Sequence, residues 1–186
     1  MRNKLESALK FLQGAGFSGT HCIFTSLAVR DFLREIGIKS DVKSVALVVT
    51  AAHQGLPLHR LGVGMNKLWN DPYEGPNWDG HLVVTVPGYL IDPTFHAVRR
   101  KAWGGTPDVA IVKRGTKPTL LLNDFPKLPV IATKYEHIPE HEYQFQAVWF
   151  SYTRNNDWKT APDFEPLRRQ ELIRTMWDEW ERREHG

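Results

Sequence analysis

Residues 80–95 read GHLVVTVPGYLIDPTF, and this stretch decides the architecture. His81–Val86 and Tyr89–Asp92 are apolar runs rich in strand-forming residues, and Pro87-Gly88 between them is a turn dipeptide. A hairpin closed by a two- or four-residue loop centred on Pro87-Gly88 sets Val83 opposite Asp92 and His81 opposite Thr94. Side chains two apart on a strand share a face, so His81 and Asp92 emerge on the same side as diagonal neighbours. Such neighbours lie about 7–8 Å apart at the backbone, within reach of an imidazole–carboxylate hydrogen bond. An odd-numbered loop would put them on opposite faces, and Pro-Gly suits type I or II turns better than the primed turns of tight hairpins. The geometry therefore hangs on the parity of this turn.

Outward from the hairpin, KSVALVVTAA at 43–52 predicts a buried strand, and 109–113, 119–122 and 143–152 predict further strands. Residues 3–13 predict an amphipathic helix with Leu5, Ala8, Leu9 and Leu12 on one side. Gly14, Gly16 and Gly19 then punctuate a loop. A second helix is predicted from about Thr20 to Ile36, with Phe24, Leu27, Ala28, Phe32 and Ile36 on one stripe and Gly37 as its stop. The stretch 53–80 is rich in Gly, Pro and Asn and has no period of either kind. Residues 166–184 predict a long amphipathic helix, with Leu172, Ile173, Met176, Trp177 and Trp180 on one stripe. Helices first and mostly sequential strands afterwards predict an α+β fold with an antiparallel sheet, spanning 1–186 as one domain.

The 186 residues are 41% hydrophobic and 24% charged, the composition of a globular protein. No apolar run approaches the roughly 20 residues that cross a bilayer, and the first residues lack the apolar core of a secretory signal. A cytoplasmic location without a membrane partner is expected. The net charge is only +3, and the short basic clusters, such as Arg99-Arg100-Lys101, are not the long basic face that nucleic acid requires, so no nucleic-acid partner is expected. The single cysteine, Cys22, excludes an intramolecular disulfide and a cysteine-rich zinc site.

Cys22 stands at the predicted start of the second helix, directly after the glycine-punctuated loop. Backbone N–H groups at a helix start are unpaired and the macrodipole is positive there. Both favour a nucleophilic thiolate, and the Cys22 backbone N–H can serve an oxyanion hole. A lone cysteine is more often a small buried hydrophobe. His81 and Asp92 change that reading, because a base with its own orienting acid completes a nucleophile–base–orienter triad.

These residues also carry a family resemblance. Cys22 followed by a helix ending Leu33-Arg34-Glu35-Ile36-Gly37-Ile38, and later GHLVVTVPGYLIDPTF, resemble the transglutaminase-like (papain-like) cysteine peptidase superfamily over about residues 15–96. The resemblance implies a core in which the nucleophile helix packs on an antiparallel sheet. It implies Cys22 as nucleophile, His81 as base and Asp92 as orienting acid, with an amide substrate (peptide, protein or small molecule) and no cofactor. Thr20 stands where the family often has Gly, and Ile23 where it often has an aromatic. Arylamine N-acetyltransferases are also similar around HLVVTV and LIDPTF, but Ser18-Gly19-Thr20-His21 lacks their Arg-Gly-Gly run. A third reading is a binding protein that keeps the fold without the chemistry.

Trp69 and Trp78 fall in the irregular stretch that delivers His81, where they can line a substrate groove or staple the loop to the core. His137 and His141 have the i, i+4 spacing of a zinc helix, but Pro139 between them opposes a helix interior, and no metal is expected. His53 and His59 read as surface residues of the long loop, where either can line a cleft. Gly62-Val63-Gly64 lacks the third glycine and the strand–turn–helix setting of a dinucleotide site.

Overall fold

The computed structural model describes residues 2–17, 21–53, 56–65, 78–98, 108–115, 128–138, 143–152, 157–160 and 166–185. The fold is α+β. Helices α1 (Arg2–Gly14) and α2 (Cys22–Glu35) precede the strands β1 (Asp41–His53), β2 (Leu56–Val63), β3 (His81–Val86), β4 (Tyr89–Asp92), β5 (Ala110–Lys113), β6 (Val130–Ile138) and β7 (Tyr143–Ser151). Helix α3 (Pro166–His185) follows the last of these strands. The predicted strand at 119–122 lies outside the described residues.

All the strand pairings are antiparallel, in the order β5-β4-β3-β1-β7-β6, with β2 added beside β1. The sheet curls toward closure: Arg114 bridges to Ala132, and Gly115 N–H donates to the Ile131 carbonyl at 3.1 Å. Strand β1 is its spine. One edge pairs β7 from Val45 to His53. The other edge changes partner, with β3 along Asp41–Val45 and β2 along Leu47–His53. His81 begins β3 opposite Val45, and Val63 ends β2 opposite Leu47, so His81 stands where the sheet splits.

Alternation along the strands separates two cores. Val45, Leu47, Val49, Val83, Leu90, Ala110, Phe145, Ala147 and Trp149 pack together on the concave side of the sheet. Val84, Val86 and Ile91 point the other way, into a cluster with Phe11 and Leu12 of α1, Phe32 and Leu33 of α2, and Met176 and Trp180 of α3. Phe11, Phe32 and Trp180 meet edge to face or tilted, with ring centroids 5.4–6.1 Å apart. Trp180 therefore packs as its helical stripe predicts, and Trp177 lies partly buried against the same cluster.

Helix α2 is wedged between the sheet and the other helices, so burial is not confined to the predicted stripe. Ile23 is buried and Phe24 only half-buried, the reverse of the expected emphasis. Gly37 stops the helix with φ 79°. Its N–H donates to the Arg34 carbonyl at 2.9 Å, and Ile38 N–H donates to Leu33 at 2.8 Å, which satisfies two orphan carbonyls.

Two strands depart from the sequence reading. The stretch 53–80 contains β2, whose Pro57 and Gly62 interrupt the apolar pattern and whose ladder shifts register between Ala51 and Ala52 of β1. Residues 130–138 form β6, so His137 stands exposed on a strand and the i, i+4 zinc-helix geometry does not arise there. His141 lies outside the described residues, and among those described no cluster of three or more His, Cys, Asp or Glu side chains could hold a metal ion. No helix among the described residues is long and apolar enough to cross a membrane.

Candidate active site

The β3–β4 hairpin has the even-numbered turn. Val86 pairs with Tyr89, Thr85 with Leu90 and Val84 with Ile91, leaving Pro87-Gly88 as a two-residue loop. Gly88 takes φ 83°, which together with the fixed φ of proline gives the pattern of a type II turn. The parity that follows puts His81 and Asp92 on the concave face, with Val83 and Leu90. His81 Nε2–H donates to Asp92 Oδ2 at 2.7 Å, with the histidine 4% exposed and the aspartate fully buried.

Asp92 accepts two further hydrogen bonds. The indole Nε1–H of Trp149 donates to the same Oδ2 at 3.0 Å, and the backbone N–H of Thr94 donates to Oδ1 at 3.2 Å. All three partners are N–H groups, so both oxygens of Asp92 act as acceptors. An ionised carboxylate only accepts, so Nε2 carries a hydrogen and Nδ1 is the ring nitrogen left for another partner.

The Cys22 side chain stands close enough to act on the imidazole, raising the His81 pKa through hydrogen bonding and charge. The approach is built by α2. Ser26 lies one turn after Cys22 on the same helix face, and its buried hydroxyl donates to the Leu82 carbonyl at 2.7 Å. This bond ties the helix to the residue beside His81, and the i, i+4 spacing carries Cys22 to the imidazole. Ile23 and Leu27 pack on Leu82 and Trp158 around the same junction, with Cys22 at the margin of that cluster. Cys22 is partly exposed, as a nucleophile needs.

Helix α2 starts at the cysteine itself. His21 is the N-cap residue with φ −85° and ψ 88°, its side chain makes no capping hydrogen bond, and no acidic residue occupies the first turn. Cys22 is the first helical residue, so its own N–H is among the orphan donors.

Burial alone would drive the His81 pKa down, because it penalises the imidazolium. The charge and hydrogen bond of Asp92, joined by those of Cys22, outweigh burial and push it up to about 10. Cys22, His81 and Asp92 thus form one contiguous polar chain through an otherwise apolar junction.

Trp78 is partly buried against the cluster that holds Cys22, and also against the cluster of Ala46, Val48 and Phe150 on the convex face of β1 and β7. Its indole folds over Gly80, where a Cβ would lie 2.8 Å from the ring. It staples the chain before His81 and packs on the same cluster as Cys22. Trp69 lies outside the described residues. Sequence reasoning missed Ser26 and Trp149. Their partners are 56 and 57 residues away along the chain, and no local pattern announces such contacts.

No protein-family model, curated protein or solved structure matches the chain.

Proposed function

We propose that this protein is a cysteine-dependent acyl-transfer enzyme of the transglutaminase-like, papain-like type, acting on an amide bond as a peptidase, amidase or transglutaminase. The observation that carries the reading is the relay itself: Cys22 at a helix start, acting on a histidine whose Nε2 is held by Asp92. A lone structural cysteine needs none of these partners.

In the proposed reaction Cys22 Sγ attacks the carbonyl carbon, and His81 takes the thiol proton at Nδ1. The strong proton affinity of His81 favours that transfer. The new S–C bond gives a tetrahedral oxyanion, stabilised by the Cys22 backbone N–H at the positive end of α2. His81 returns the proton to the leaving amine, the C–N bond breaks, and a thioester remains. Water or an incoming amine then attacks the thioester, loses its proton to His81, and Cys22 leaves with that proton restored. Asp92 keeps His81 in the Nε2–H form throughout. Trp78, packed on the same cluster as Cys22, is a candidate to contact the acyl group.

Mass spectrometry tests the reading. Incubation with a panel of peptide amides and amine acceptors should give an acyl adduct on Cys22 that is absent from Cys22→Ala. An adduct from acetyl-CoA alone would favour acetyl transfer, and no adduct from any donor would favour a binding protein.

A further inference from the structure

Oδ2 of Asp92 is asked to do two things at once. It accepts from His81 at 2.7 Å and from Trp149 at 3.0 Å, while Oδ1 has one longer bond to the Thr94 amide. Trp149 is not a flexible donor. It is fully buried in the middle of the sheet, paired with Leu47 of β1 and Ala132 of β6, and its ring lies 5.6 Å from that of Phe95. An indole N–H donates and never accepts, so it holds the positive end of its dipole against the oxygen that faces the imidazole.

We infer that Trp149 is a positioning residue for the active site: by sharing Oδ2 with His81 it limits how tightly Asp92 holds the imidazolium, so that the proton can be handed on. The inference rests on the acyl-transfer reading above. A general acid must release its proton to the leaving amine, and a carboxylate with nothing else to bind would retain it more firmly. Among the described residues, the charged groups that act on His81 are Asp92 and Cys22, and of the two neutral donors on this carboxylate the indole is the one that shares Oδ2 with the imidazole. The competing view is that Trp149 fills the core and Asp92 merely satisfies its N–H.

A double-mutant cycle separates the two views. Trp149→Phe, Asp92→Asn and the double variant are compared with wild type by NMR titration of His81 and by the pH dependence of Cys22 alkylation with iodoacetamide. In the Asp92 background, Trp149→Phe should raise the His81 midpoint by about one pH unit, a tenfold gain in proton affinity. The acid limb of alkylation should move down by a similar amount. In the Asp92→Asn background the same substitution should change both by less than twofold. An unchanged or lowered midpoint with Asp92 present overturns the inference, as does an equal change in both backgrounds. If Trp149→Phe fails to fold, site-specific replacement by benzothienylalanine removes the N–H and keeps the ring, with the same expected shifts. Should wild-type Cys22 react no faster than a free thiol, the acyl-transfer reading fails, while the NMR titration still judges the Trp149–Asp92–His81 linkage on its own.

Discussion

Replacing Asp92 with asparagine removes one charge while keeping the side chain's shape. The carboxylate accepts three hydrogen bonds, two on Oδ2 and one on Oδ1. An asparagine oxygen can keep at most the two donors on one side. Its NH2 then faces the Thr94 amide, donor against donor, in a site closed to water. Breaking a buried ion pair from one side costs about 3–5 kcal/mol, and the retained bonds set the expectation near the lower end, about 3 kcal/mol in urea unfolding at pH 7. The effect on His81 is sharper. The gap between 6.5 and about 10 corresponds to roughly 5 kcal/mol of preference for the imidazolium, with Asp92 the strongest influence opposing burial. Without its charge, burial dominates and the His81 midpoint should fall below 6.5. NMR titration of the imidazole reads this directly, and alkylation of Cys22 at pH 7 should slow in parallel. A folded Asp92→Asn protein whose His81 still titrates near 10 would refute the reasoning.

Ser26→Ala removes a buried bond to the Leu82 carbonyl and should cost about 1–2 kcal/mol in urea unfolding. Because that bond seats Cys22 beside His81, alkylation should also slow in the folded variant. Gly88→Ala should lose about 1 kcal/mol purely through backbone conformation, since φ is 83° and nothing lies within 4 Å of the added Cβ. The His81–Asp92 bond should survive it, as the NMR midpoint would report. The pH dependence follows from the sign of the His81 shift. A pKa raised from 6.5 to about 10 on folding contributes stability that is complete below 6.5 and is lost as pH rises through about 10. Urea midpoints measured across that window should fall in wild type and stay flatter in Asp92→Asn.

The β3–β4 hairpin was legible because its information is local. Strand alternation and a two-residue turn are enough to put His81 and Asp92 on one face, and both can be read from consecutive residues. Cys22 at the helix start was legible for a similar reason, since glycines precede the helix and Gly37 ends it. The rest of the site is non-local. Trp149 meets Asp92 because β7 lies across β1 from β3, and Ser26 meets Leu82 because α2 crosses the sheet at that level. Strand β6 escaped because Lys134, Glu136 and His137 mask its alternation, and β2 because Pro57 and Gly62 break its run. Its pairing with β1, not its composition, makes β2 a strand. The split between β2 and β3 that places His81 at a strand end is likewise a property of the assembled sheet.

The most direct test of the central claim, that Cys22 is an activated nucleophile, is its second-order rate of reaction with iodoacetamide at pH 7. The rate is measured beside N-acetylcysteine and beside the His81→Ala protein. The relay predicts wild-type Cys22 to react at least tenfold faster than the free thiol, with that advantage lost in His81→Ala. A wild-type rate equal to or below that of the free thiol, or one untouched by His81→Ala, would contradict it.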